Sequence, residues 1–241
     1  MKKYFEYEFN NEIKKRLFNY YEDVNLDQHK INHLNKSKLK INRMKKLVSF
    51  SKKDSIIDIG CSKGHLLELL SPSIKKGLGI DISKNIIKLN KRSKPPKNIN
   101  YSVFDGKNIN LKQKFTKILM LDVLEHAFNP DELIKSVGTR MSQDSLLIIE
   151  VPFTGWLSEF VFGKYHQGHL RYYDPRYLSE YLIKKGFIVK RVKVYNSVPF
   201  SSFFIKYKLI YSILNFLVSL IPKKLYPYFG EIIAIASKNE K

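Results

Sequence analysis

Acid, cysteine, arginine and long apolar runs are what this sequence lacks. Its 241 residues carry 22 Asp and Glu against 43 Lys and Arg, a formal net charge of +21. A single cysteine, Cys61, excludes a disulfide framework and any multi-cysteine metal site. The uncharged stretch Leu209 to Ile221 is too short to cross a bilayer. Met1 to Glu6 is basic but has no apolar segment behind it, so no secretory signal is expected and the cytoplasm is the expected location. Only seven of the 43 basic residues are arginine. Phosphate and base-edge recognition favours arginine forks, so the lysine excess points to an anionic membrane surface, with peripheral placement at its inner face, ahead of nucleic acid. At 44% hydrophobic residues the chain is no disordered tail and is long enough for one α/β domain with a sizeable core.

The most informative stretch present is Ile56-Ile57-Asp58-Ile59-Gly60-Cys61-Ser62-Lys63-Gly64. A β-branched run passes an acid, enters a glycine turn and reaches a second glycine before His65 to Leu70, which reads as a helix. Strand, tight loop and helix N-terminus is the arrangement with which open α/β sheets bind nucleotides. The spacing is Gly-x-x-x-Gly, not the dinucleotide Gly-x-Gly-x-x-Gly, and Asp58 stands beside the turn. A phosphate wants glycine N–H groups and no carboxylate nearby. A carboxylate suits a cationic ligand, and S-adenosylmethionine, with its ammonium and sulfonium, has that character. Cys61 reads as a small loop filler, since no base adjoins it by motif.

From Ser55 onward a strand–helix alternation is expected. Strands are expected at Ser55–Asp58, Gly77–Asp81, Ile99–Phe104, Lys117–Leu121, Leu146–Val151, Phe187–Tyr195 and Ile232–Ala236. The helices between them include one N-capped by Ser83, one opened by Pro130 and running from Asp131 to Met141, and one opened by Pro175 and closed by Gly186. Such alternation with short connections predicts a doubly wound α/β sheet. Ahead of it, Leu39, Ile41, Met44, Leu47 and Val48 recur at three- and four-residue steps among lysines, an amphipathic helix. The expected organisation is a helical cap over residues 1–50 and one domain over 51–241. Within that domain, 197–230 forms a helical insertion, read either as a lid or as a membrane-associating segment.

Polar groups fall at the carboxyl ends of all four leading strands. Asp81, about twenty residues beyond the glycine loop, is placed to accept both ribose hydroxyls. Asp105-Gly106 follows the third strand, where the carboxylate would meet an adenine amino group, and Leu121-Asp122-Val123-Leu124-Glu125-His126 closes the fourth. Together with Asn129-Pro130, the segments Asp58 to Gly64, Gly79-Ile80-Asp81 and Leu121 to His126 resemble class I S-adenosylmethionine-dependent methyltransferases. Within that superfamily they look most like the branch of ubiquinone-type O-methyltransferases and methyltransferases of cell-surface glycan biosynthesis. The resemblance covers Ser51 to Gly186 and the last strand. It implies a seven-stranded Rossmann-like sheet with the last strand antiparallel, and S-adenosylmethionine as cofactor. It further implies that Gly60 and Gly64, with Asp58 and Cys61 in the same loop, approach the methionine part. Asp81 with Ile82 would take the ribose, Asp105 with Gly106 the adenine, and Leu121 with Asp122 would line the pocket near the reacting methyl.

A hydroxyl acceptor needs a sink for its proton, and His126 after the fourth strand suits that role, the alternative being a histidine that braces its loop. After the fifth strand come Trp156 and then His166, His169, Arg171 and Tyr172. The resembled family carries a similar His-x-Arg-x-aromatic stretch over its acceptor pocket, which implies bases or contacts to an anionic or polyhydroxylated acceptor here; a solvated loop is the plainer reading. The His-x-x-His spacing has no third ligand placed by motif, so no metal is expected. The expected function is methyl transfer to a hydroxyl of a glycan, lipid-linked or quinone-like small acceptor. The alternatives left open are a noncatalytic cofactor-binding or membrane-associated scaffold and a nucleic-acid methyltransferase.

Overall fold

The computed structural model describes residues 30–153, 169–196 and 230–239, together with Ile210, Ile213 and Leu217. In chain order the elements are α1 (Lys30–Lys45), β1 (Ser55–Ile59), α2 (His65–Leu70), β2 (Lys76–Asp81), α3 (Lys84–Arg92), β3 (Ile99–Val103), β4 (Phe115–Leu121), α4 (Pro130–Thr139), β5 (Met141–Phe153), α5 (Pro175–Lys184), β6 (Phe187–Asn196) and β7 (Gly230–Lys238). The seven strands form one sheet in the order β3-β2-β1-β4-β5-β7-β6. β1 through β5 pair in parallel, and β7 runs antiparallel to both β5 and β6. The strand order reverses between β1 and β4, and that switch point opens the crevice in which such sheets hold ligands.

Both faces of the central strands are covered, which explains why β1, β4, β5 and β7 read as largely apolar runs, whereas the edge strands β3 and β6 leave Val103, Ile188 and Val194 exposed. On one face Ile57, Ile118, Met120, Leu147, Ile149, Ile232 and Ala234 pack against Leu133, Ile134 and Val137 of α4 and Leu178 and Leu182 of α5. On the other, Ile56, Leu119, Leu121, Ile148, Ile233 and Ile235 meet Ile41 and Met44 of α1 and Leu66, Leu67 and Leu70 of α2. Alternate residues of each strand supply the two faces, as a period of two requires. Residues 1–29 of the expected cap and all but three residues of the 197–229 insertion lie outside the described residues.

The helix starts follow local chemistry. The Ser83 hydroxyl accepts from Ile86 N, Asn129 Oδ1 from Glu132 N, and Asp174 Oδ1 from Tyr177 N, with Pro130 and Pro175 at the first helical turns. The largest departure from expectation is at the end of α4, which closes at Thr139, so that Met141 opens β5 instead of closing the helix; β4 and β7 also begin two residues early. Met141 pairs with Phe115, and both side chains are buried. Ser145 Oγ makes this possible by donating to Phe115 O at 2.5 Å and accepting from Ser142 N at 2.7 Å, so polar residues extend the strand through a register shift. At the opposite edge from the glycine loop, Asp54 accepts from Ser51 N, Thr116 Oγ1 and Lys117 Nζ and fixes the start of β1 against β4.

Met44 ties α1 to the sheet and is fully buried. Met44→Ala should cost about 2–5 kcal/mol of unfolding free energy, read as a lower midpoint in urea titration; an unchanged midpoint would mean that α1 is not part of the cooperative core.

Candidate active site at the carboxyl edge of the sheet

The loop after β1 is shaped by backbone that side chains avoid. Gly60, Ser62 and Gly64 have φ of 71°, 44° and 74°, the left-handed region that glycine enters without penalty. A Cβ on Gly60 would come within 2.5 Å of Val123 Cγ2, and one on Gly64 would run into the Tyr101 hydroxyl. Packing therefore demands these glycines in addition to any ligand. The loop is pinned by Gly60 N and Cys61 N donating to Ile80 O at 2.8 and 3.0 Å, and by Asn90 Nδ2 donating to Ser62 O at 2.7 Å. Cys61 is buried, and burial pushes its thiol well above the usual range, so the loop-filler reading suits it.

Asp81 ends β2 beside this loop. Its Oδ2 accepts from Ser62 N at 2.9 Å and its Oδ1 from Ser83 N at 3.0 Å, which orients the carboxylate. Ile82 Cγ2 lies 3.5 Å from where a Gly106 Cβ would stand, so the loops after β2 and β3 meet there. Asp105 is exposed, and its Oδ1 accepts from Lys107 N and Asn108 N at 2.8 Å. Leu121 is buried at the end of β4, and Asp122, at φ 57°, turns the chain away from the sheet.

α1 brings cationic side chains to this edge. Lys40 Nζ lies 2.6 Å from Asp122 Oδ2 and 3.8 Å from Glu150 Oε1, and Arg43 Nη1 lies 3.7 Å from the same Glu150 oxygen. Asp122, Glu150 of β5 and Glu231 of β7 hold carboxylate oxygens within 4.8 Å of one another. Burial would lower the Lys40 pKa, but Asp122, Glu150 and Glu231 outweigh it and hold the ammonium charged. Burial pushes Glu231 up to about 8, with Asp122 and Glu150 adding to the shift. Asp122 goes the other way, because Lys40 outweighs its desolvation. The available signal was the basic stripe Lys36, Lys40, Arg43, at helical spacing on a helix whose apolar face packs on the sheet.

The loop after β4 meets the segment before α5. Leu170 N donates to Glu125 O at 2.8 Å, and the His126 and His169 rings stand edge to face with centroids 4.8 Å apart. Glu125 lies beneath them, 1% exposed, with its Oε1 3.6 Å from His126 Nε2. The Tyr172 ring is 6.3 Å from that of His169. Arg171 donates through Nη1 to Ala127 O and through Nη2 to Phe128 O at 3.4 Å, bracing the loop while lining a cavity of about 480 Å³ with Phe128, Tyr177 and Lys185. The structure thus brings together His126, His169, Arg171 and Tyr172; Trp156 and His166 lie outside the described residues. Glu125 carries no role in the sequence reading, because a glutamate inside a strand-end motif gives no sign that it will be buried.

A seven-stranded sheet of this order, with its last strand antiparallel and a glycine loop at the switch point, is the class I S-adenosylmethionine-dependent methyltransferase fold. The chain matches the methyltransferase domain family over residues 28–191, and it belongs to that family. Its sequence is 29% identical over 97 residues to methyltransferase 235L of Invertebrate iridescent virus 6, a match that spans 39% of this chain and 36% of the viral protein. Similar solved structures include an S-adenosylmethionine-dependent methyltransferase from Mesorhizobium loti, at 14% identity and TM-score 0.58 over 80% of this chain and 96% of that one. A methyltransferase-class protein from Bacillus halodurans reaches TM-score 0.65 at 13% identity, over 83% of this chain and 99% of that chain. Haemonchus contortus phosphoethanolamine N-methyltransferase 2, solved with phosphomonomethylethanolamine and S-adenosylhomocysteine, reaches 0.62 at 15%, over 84% and 53%. S-adenosylmethionine is the cofactor of this class, and the donor set fits it: the edge presents carboxylates to a ligand whose ribose hydroxyls, amino groups and sulfonium are donors or cations, with the Lys40 ammonium at hand for its single carboxylate.

Asp58, on β1 beneath α1, is buried, and burial pushes its carboxyl from 3.8 up to about 7, against the pull of Lys40 and with a contribution from Asp81. The folded chain holds that proton more tightly than the unfolded one. The associated stability is full below about 3.8 and is lost as pH rises through about 7. Asp58→Asn removes the titration. The melting temperature of the variant relative to the unsubstituted chain should therefore climb between these two pH values and level off above; a difference that stays flat with pH would show an ordinary carboxyl.

Proposed function

We propose that the chain transfers a methyl group from S-adenosylmethionine to a hydroxyl of a small acceptor: a glycan, a lipid-linked sugar or a quinone-like phenol. The observation that carries this reading is the meeting of His126 and His169 over buried Glu125, next to Asp122 at the cofactor edge. When bound, the cofactor supplies a methyl carbon already activated on a sulfonium sulfur. The chain's own task is to bind, align and keep water out. In this reading Asp81 and Ile82 hold the ribose, and Asp105 and Gly106 the adenine. Asp58, Gly60, Cys61 and Gly64 border the methionine part, while Leu121 and Asp122 line the wall near the acceptor.

A sugar or phenol hydroxyl is a poor nucleophile until its proton, or the charge left by losing it, is accommodated. His126 and His169 are the groups at this edge suited to that, with Arg171 and Tyr172 holding their loop and bordering the acceptor; Trp156 and His166 join them on the sequence reading. Nucleic acid is the weaker acceptor, because only seven of the 43 basic residues are arginine, the side chain that phosphate and base-edge recognition favours. A noncatalytic scaffold would have no use for a histidine pair at the ligand edge.

Association with an anionic membrane surface is a second element of the proposal. No helix among the described residues is long and apolar enough to cross a membrane. Ile210, Ile213 and Leu217, helical and spaced to share one face, are 46%, 51% and 52% exposed, an apolar stripe on a lysine-rich chain.

Two measurements test the chemistry and one the location. By calorimetry Asp81→Ala should lose most of its affinity for S-adenosylmethionine, and equal affinity would remove Asp81 from the site. His126→Ala should keep that affinity while turnover on a hydroxyl acceptor falls roughly 10²- to 10⁴-fold. Transfer to an amine or carbon instead would sink the hydroxyl reading and leave the cofactor standing. In flotation with phosphatidylserine-containing vesicles, the full chain should float at low salt and less so at high salt; if it stays at the bottom in both, the membrane element goes.

A further inference from the structure

We propose that Glu125, His126 and His169 bind one divalent transition-metal cation, whose open face takes the acceptor hydroxyl. The proposal rests on the hydroxyl-transfer reading and says how the histidine pair manages the acceptor's proton. The sequence offered no third ligand for a histidine pair. The fold supplies a full set from two segments more than forty residues apart, holding one ligand atom from each of the three residues within 4.8 Å of the others.

Glu125 is the decisive group. It is 1% exposed, and among the described residues neither of its carboxylate oxygens receives a hydrogen bond. His126 Nε2, at 3.6 Å from Oε1, stands beyond hydrogen-bonding distance. A buried carboxyl group with no donors either keeps its proton or gives it up to a cation that completes it. The backbone holds it in place, since Leu170 N donates to Glu125 O at 2.8 Å and so ties the His169 segment to the His126 segment.

The neighbouring acid cluster shows the contrast. Asp122, Glu150 and Glu231 also converge, but Lys40 and Arg43 already bring cationic side chains to that cluster. No lysine or arginine ion pair reaches Glu125 among the described residues. Two imidazoles and one carboxylate favour zinc, iron, cobalt or manganese over magnesium or calcium. Tetrahedral bonds of about 2.1 Å put ligand atoms roughly 3.4 Å apart, so the three groups have only to draw in by small side-chain rotations. Three protein ligands leave a position open, and His126, 22% exposed, marks the side from which an acceptor reaches it. There the cation would lower the pKa of a bound hydroxyl as it does that of bound water, the proton passing to solvent while the imidazoles serve as ligands.

The test uses the full chain, stripped with EDTA and titrated with cobalt(II) chloride. One equivalent should bind with visible d–d absorption. His126→Ala and His169→Ala should each weaken binding at least about 100-fold, beyond the loss expected from an outer-shell partner. Glu125→Gln, which keeps the shape of the buried side chain, should do the same. Calorimetry with S-adenosylmethionine checks that every variant is folded. Absence of the cobalt bands in the unsubstituted chain, or equal cobalt affinity in His169→Ala, overturns the metal site. Equal turnover on a hydroxyl acceptor in EDTA and in cobalt overturns the cation's part in the reaction while leaving the methyltransferase reading intact. Cobalt binding that depends on all three residues, in a chain that methylates only amines, upholds the metal site and sinks the hydroxyl reading.

Discussion

A parallel sheet has to be covered on both faces, and most of this structure follows from that constraint. Helices α4 and α5 close one face and α1 and α2 the other, so apolar residues dominate the interiors of the central strands. Polar chemistry is left the rims. At the carboxyl rim the strands end one after another in Gly60, Asp81, Asp105 and Asp122, and the antiparallel β7 begins there, adding Glu231 beside Glu150. The site is a consequence of how the sheet is buried, not a feature set upon it.

The same burial sets the electrostatics. Asp58, Glu125, Glu150 and Glu231 are acids in a chain of strong positive charge, yet desolvation pushes all four upward from the ordinary carboxylate range. The surplus of lysine over the rest of the molecule does not relieve them, because solvent screens charges that lie more than a Debye length away. Lys40 and Arg43 relieve one cluster only because α1 lays them directly over it. α1 therefore acts both as a wall of the core, through Met44, and as the cationic ceiling of the candidate site.

Alternation of strand and helix was legible because β-branched runs, Ser83, Pro130, Pro175 and Gly186 each carry a local signal that tertiary structure does not override. The end of α4 was not. Ser142 and Ser145 look like loop residues until Phe115 is seen to lie opposite, where their hydroxyls satisfy a strand extension. Of the candidate site, the glycine loop and the strand-end acids could be read as a pattern along the chain, whereas Lys40 and Glu125 could not. The partners that matter most, His169 for Glu125 and the carboxylates for Lys40, come from segments distant in sequence.

The sequence alone determined the order of elements, the class of ligand at the glycine loop and the residue types at each strand end, because these depend on local spacing. Tertiary structure decided which of them meet. It set His169 against His126 across forty-three positions, buried Glu125 under both, and brought a lysine from the leading helix among three carboxylates. Contacts of that kind depend on how helices pack across a closed sheet, and the packing geometry is not written in any single stretch of residues.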